Sequence, residues 1–211
     1  MHTEEQEPCL SGWNAITEAF EKLYPDQKNP LHYGVLIPYA LGGSDPLDGI
    51  SIYDAGSYWH FVSYGLSELY EKQSEDLEYS GFGFEFTLKL SKAGIAPEQQ
   101  TQELGNIGGI LQSLARESFD RGEIFAPQEY IYTGQTAGFD AGQKSCLTGF
   151  VTRLDDAGEI DTPNGKVQFV QLIGVTDAEL RQIMDGKLRV QALLDEYGSD
   201  LTDYTRKSLY Q

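Results

Sequence analysis

The chain has 211 residues, of which 40% are hydrophobic and 12% aromatic, enough for a folded core in one large domain or two small ones. Its 33 acidic residues outnumber 15 basic ones, and the formal net charge of -18 gives no positive footprint for nucleic acid or for an anionic membrane surface. No apolar run approaches the ~20 residues that span a bilayer, and the acidic start Met1 to Glu7 lacks a secretion signal, so a cytoplasmic protein is expected.

Residues 1–10 read as a loose tail. Ser11 is placed to cap a helix over Gly12 to Leu23, with Ile16, Ala19, Phe20 and Leu23 on one face. Tyr24-Pro25-Asp26 stops it. Tyr33 to Ile37 reads as a buried strand, Gly42 to Pro46 as a turn, and Ile50 to Tyr53 as a second strand. A third strand, Tyr58 to Tyr64, is aromatic and β-branched, and an acidic loop, Glu71 to Glu78, follows.

Ser80 to Leu90 is the organising strand. Phe82, Phe84, Phe86 and Leu88 alternate onto one face and belong to a core. Gly81, Gly83, Glu85 and Thr87 fall on the other, where paired glycines imply that something approaches the backbone closely. Leu104, Ile107, Leu111 and Leu114 then define a helix within Pro97 to Phe119. Gly105, Gly108 and Gly109 disfavour its first turns, which sets the expected start near Asn106.

Residues 120–145 are poorly patterned, with one strand around Tyr130 to Tyr132. Ser145 to Leu154 reads as a strand, Asp156-Ala157-Gly158 as a turn, and Pro163-Asn164-Gly165 as a hairpin turn into the strand Val167 to Val175. Thr176-Asp177-Ala178-Glu179 is a capping box, with Val175 and Leu180 placed for a hydrophobic staple. Gly186 ends that helix, and Lys187 to Glu196 holds another. The expected architecture is one α+β domain over residues 11–205, with a mostly antiparallel sheet flanked by helices and a tail at 206–211; a mixed pairing fits the long 120–145 segment.

Chemistry is sparse. Cys9 and Cys146 make no disulfide framework. His2, His32 and His60 are scattered, and no ligand spacing points to a metal or cofactor. Gly81-x-Gly83 lacks a third glycine and precedes a strand, so it is no nucleotide loop, and no G-x-S-x-G elbow is present. The catalytic alternative is a hydrolase-like enzyme using His60 with Glu68 or Glu85. A second alternative is a scaffold that acts as an oligomer. The acidic balance fits solubility or steering towards a basic protein partner.

Several segments together resemble the suppressor-of-fused family. They are Leu23 to Gln27, Leu41 to Asp48, Trp59 to Tyr70, Ser80 to Glu85, Leu111 to Arg116, and Thr162 to Gly165 with Phe169 to Val175. The resemblance covers Gly12 to Asp203, corresponds to the family's N-terminal lobe, and implies a SUFU-like fold. The animal family member is a non-enzymatic, two-lobed regulator of Hedgehog signalling that clamps a short Gli peptide between its lobes as an added strand. The second lobe is not expected here. Compact single-domain members look like the bacterial branch, some of which are associated with toxin systems as candidate immunity proteins. The resemblance therefore implies a non-enzymatic domain that binds another protein or peptide, a basic toxin being one candidate. Glu68, Tyr70 and Glu85 become candidate partner contacts. Trp59, His60, Gly65, Gly81, Phe82, Gly83 and Phe84 become motif residues that serve the fold.

Overall fold

The computed structural model describes residues 9–210. Apart from Cys9 and Leu10, the tail expected over residues 1–10 lies outside the described residues. The strands are β1 (Leu31–Gly34), β2 (Gly49–Asp54), β3 (Tyr58–Tyr64), β4 (Tyr79–Ser91), β5 (Tyr130–Tyr132), β6 (Leu147–Thr162) and β7 (Gly165–Thr176). The helices are α1 (Ser11–Leu23), α2 (Gln100–Arg121), α3 (Asp177–Met184) and α4 (Val190–Tyr197). The strands form one sheet in the order β1-β2-β3-β4-β7-β6-β5. β4 and β7 pair in parallel, and the other neighbouring strands pair antiparallel. The mixed pairing thus sits at the centre of the sheet.

Strand alternation builds three layers. Phe84, Phe86, Leu88 and Leu90 of β4, together with Val170 and Leu172 of β7, face α2. Leu104, Ile107, Leu111 and Leu114 cover them. Phe82 is partly buried against the same core and meets Phe119 edge to face. The alternate residues of β7 face the opposite side. Phe169 packs on Ile16, Ala19 and Phe20 of α1, while Ile173 and Val175 pack on Leu180, Val190 and Leu193 of α3 and α4.

The capping box of α3 forms as the sequence implies. Thr176 Oγ1 accepts from the Glu179 amide and Glu179 reaches back to the Thr176 amide. Several other readings need correction. α2 begins at Gln100 rather than near Asn106, because its buried face outweighs the weak propensity of its glycines. Gly105 and Gly109 lie against open space. Ser11 is not a cap: Leu10 holds that position, and the Ser11 hydroxyl donates to the Tyr70 carbonyl. β1 ends at Gly34 as an edge strand, with Leu36 and Ile37 exposed, so the buried Tyr33–Ile37 strand does not form. Asp156-Ala157-Gly158 lies within β6 as a bulge, where five residues of β6 advance against two of β7. Residues 206–210 do not trail from the body. Arg206 sits between Glu179 and the Gly174 carbonyl, and the Leu209 amide donates to Glu179.

A second bulge opens β4. Between Tyr79 and Phe84 the strand again advances five residues against two on β7. Gly81 at φ 58° and Gly83 at φ 82° make this possible. A Cβ on Gly81 would lie 2.8 Å from the Leu66 carbonyl oxygen, and one on Gly83 would lie 3.1 Å from the Tyr79 ring. What approaches these glycines closely is therefore the domain itself.

Two substitutions test these packing assignments by urea denaturation. Gly81→Val should destabilise by about 2–4 kcal/mol, from left-handed strain plus overpacking. Gly105→Ala should stabilise by about 1 kcal/mol, since its surroundings are open. Equal midpoints for Gly81→Val and the unaltered protein would refute the close approach.

Candidate functional site

The segment Gly65–Tyr70, between β3 and the acidic loop, is the junction of the fold. Two free amides in the first turn of α1, those of Gly12 and Trp13, both donate to the Leu69 carbonyl, at 3.0 and 3.1 Å. The helix start is thus satisfied by this segment instead of by a capping side chain. The Phe82 amide of the β4 bulge donates to the Leu66 carbonyl at 2.9 Å. Asn164 Nδ2, in the β6–β7 turn, donates to the Glu68 carbonyl at 2.7 Å.

Glu85 fastens this segment to the sheet. Its carboxylate is fully buried and accepts four hydrogen bonds. The donors are the Ser63 hydroxyl at 2.5 Å, the Gly65 amide at 2.9 Å, the Ser67 amide at 2.9 Å and the Ser67 hydroxyl at 2.7 Å. Burial raises the carboxyl to about 7, against the pull of those donors.

Glu68 organises the following loop. Its carboxylate accepts from the amides of Gln73, Ser74 and Gly81 and pairs with Lys72 at 3.2 Å. Burial disfavours its charge, but these partners outweigh burial and hold the carboxyl below its usual value. Tyr70 is 39% exposed, and its hydroxyl donates to Asp48 Oδ2 at 2.9 Å. Burial and the Asp48 carboxylate push that hydroxyl up to about 12. Of the three candidate contacts, Tyr70 presents the most side-chain surface. Glu85 presents none and cannot touch a partner from this position.

His60 lies on the face of β3 covered by α1, fully buried. Its Nδ1 meets the Tyr24 hydroxyl at 2.8 Å and its Nε2 meets Asp155 Oδ2 at 3.0 Å. The β6 bulge carries Asp155 over the sheet, where it also accepts from the Thr87 hydroxyl and the Ala157 amide. Burial opposes the Asp155 charge, yet His60 and these donors hold the carboxyl at about 2. His60 therefore pairs with neither Glu68 nor Glu85, and the arrangement expected of the catalytic alternative does not assemble. Trp59 and Phe84 are core residues of the α2 layer, and Gly65 is packed against the Leu47–Asp48 backbone.

Four surface clefts of about 480–930 Å³ are lined by none of His60, Glu68 and Glu85. The largest of the four lies between α2 and β5, with Phe125, Tyr130, Ile131 and Tyr132 in its walls. Sequence reading placed β5 but not this groove, because residues 120–145 carry no periodicity to announce it. Among the described residues no cluster of histidine, cysteine and carboxylate groups could hold a metal ion, and no helix is long and apolar enough to cross a membrane.

A central mixed sheet between helical layers, with its motif carboxylates facing inward, defines an α+β domain of suppressor-of-fused type. The family described as Suppressor of fused protein (SUFU) matches residues 43–207. The suppressor of fused homologs of Homo sapiens and Mus musculus are each 34% identical over 185 residues, covering 80% of this chain and 36% of theirs. The chain thus spans about a third of the length of these relatives. A chain in a crystal structure of the Sufu-Fu complex superposes with a TM-score of 0.81 at 31% identity, covering 95% of this chain and 92% of that one. Drosophila Suppressor of Fused superposes with a TM-score of 0.80 at 31% identity, covering 98% of this chain and 53% of that one. The chain belongs to the SUFU family.

Two carboxylates give pH signatures of opposite sign. Glu85 titrates higher folded than unfolded, so the folded chain keeps a proton that the unfolded chain releases, and stability falls as pH rises from about 4.5 to 7. Urea titrations should show the stability gap between the unaltered protein and Glu85→Gln narrowing by about 1–3 kcal/mol from pH 5 to 7.5. Asp155 titrates lower folded, so its contribution is complete above about 4 and is lost as pH falls towards 2. Asp155→Asn should remove that acid limb. A gap for Glu85→Gln that widens with pH would contradict the assignment.

Proposed function

We propose that this domain is a non-catalytic binding module for another protein or peptide. The observation that carries the reading is the structural likeness, at 31% identity and over 92% of its length, to a chain in a complex between Sufu and a second protein. The inward use of Glu68, Glu85 and His60 supports it, since the residues that chemistry would need hold the domain together. Tyr70 and the surface around it form the part of the motif region open to a partner.

The net charge of -18 favours a basic partner. A toxin neutralised by a cytoplasmic immunity protein is the specific version we favour, because it matches this charge. The domain acts there as a unit spanning residues 11–205, steered by its field and needing neither cofactor nor metal.

Affinity purification of the tagged chain from its native cells should recover a basic protein in stoichiometric amount. For that purified pair, raising salt from 50 to 500 mM should slow association by about tenfold while leaving dissociation nearly unchanged. Recovery of no protein above background, with neighbouring genes expressed, would sink the reading. A salt-independent association rate would remove the basic partner while leaving protein binding in place.

A further inference from the structure

We infer that β1 is a self-association edge, where two copies of this chain pair antiparallel across a two-fold axis and join their sheets. This goes beyond the protein-binding reading above. It uses the end of the sheet opposite the cleft between α2 and β5.

Charge singles out this edge. The chain carries 33 acidic residues, yet none falls between Asp26 and Asp45, the longest acid-free run in the sequence. That run contains β1 and the loop after it. The exposed positions on the neighbouring part of α2, Thr101, Gln102, Gly105, Gly109 and Ser113, are uncharged as well. A cleft of about 640 Å³ lies between this part of α2 and the β1 loop, and its one charged lining residue, Asp45, is paired with Arg116. Two copies at -18 repel wherever their carboxylates meet, so the face without carboxylates is the one on which they can approach. A basic partner gains nothing there. The face is also apolar: Leu31, Leu36, Ile37 and Leu41 are exposed, Leu36 completely.

The backbone of the edge is complementary to itself. Among the described residues β1 pairs with β2 alone. The Val35 amide donates to the Asp48 carbonyl at 3.2 Å, and Gly34 stands opposite Gly49. Alternation therefore assigns the bonds to β2 to Val35, Tyr33 and Leu31, and turns the amides and carbonyls of His32 and Gly34 outward. With a two-fold through Tyr33, His32 of one copy lies opposite Gly34 of the other, and each such pair exchanges both its main-chain bonds. Leu31 then meets Val35 of the second copy on the face that carries Tyr33, and Leu36 and Ile37 continue the seam. Pro30 precedes β1, but within the strand no proline, lysine or carboxylate guards the edge.

Sedimentation velocity of the full chain across a concentration series into the hundreds of micromolar is the test. Dimers should form with a dissociation constant in the micromolar range. Raising salt from about 50 to 500 mM should tighten them about threefold, because screening relieves the repulsion between copies and the seam holds no ion pair. Gly34→Pro removes one outward amide and leaves the bonds to β2, and a Cβ there meets only ordinary contacts at 3.7 Å and beyond. Leu36→Glu places a carboxylate from each copy at the seam. Each should weaken the dimer about tenfold. Melting curves confirm that both variants fold. Amide exchange at His32 and Gly34 should slow as concentration rises. A monomer throughout the series overturns the inference. So does a dimer that both variants leave intact, or one that protects the amides of β5 instead. The affinity purification described above reads a different protein, so either failure leaves the protein-binding reading standing.

Discussion

The fold depends on one buried carboxylate. Glu85 stands on β4, the strand at the middle of the sheet, and accepts four hydrogen bonds from Ser63, Gly65 and Ser67. A buried carboxylate without such donors would be strongly disfavoured, so the sheet and the Gly65–Tyr70 segment require each other. Through that segment the constraint reaches α1, the β4 bulge and the Asn164 turn. Removing the carboxylate would leave buried donors at three residues, and an unsatisfied buried donor is worse than an absent bond.

Glu85 is the first of three polar residues on the same face of β4. Thr87 donates to Asp155, which also holds His60. Lys89, 4% exposed, bridges Asp156 and Asp200 at 2.6 and 2.5 Å. The β6 bulge supplies Asp155 and Asp156, and the segment after α4 supplies Asp200. This column runs beneath the helical layer in which α1, α3 and α4 lie, and ties β3, β4 and β6 to the chain's last turns. Lys89 is paired with Asp156 and Asp200, and Glu85 is held by hydrogen-bond donors. The functional consequence is a division of labour. Polar groups along the centre of the sheet set the geometry, and the exposed groups lie at its edges and on the surrounding loops.

The sequence made much of this legible. Aromatic and β-branched content located Tyr58–Tyr64, and alternation located the aromatic face of β4, because the two faces of a strand carry different residue types at period two even where both are buried. The start of α3 was legible for a similar reason: a capping box is a local hydrogen-bond pattern. What was not legible was long-range. Asp155 lies 95 residues from His60, and a bulge brings them together where the residues Asp156-Ala157-Gly158 look like a plain turn. The apolar run at Tyr33–Ile37 said nothing about its place at a sheet edge, where burial ends. The groove beside β5 is built from residues 106–150 that converge only in the folded chain. Family resemblance supplied Glu85 as a motif residue; only its surroundings reveal that its partners are internal.

The central claim is that Glu85 works inside the domain, holding the junction segment to the sheet. Residue-resolved amide hydrogen exchange tests it most directly, at Gly65 and Ser67, whose amides Glu85 accepts. The account requires both to exchange as slowly as the core amides of β4, and to become fast in Glu85→Ala, which removes the acceptor, while the amides of β7 stay protected. Fast exchange at Gly65 and Ser67 in the unaltered protein would contradict it.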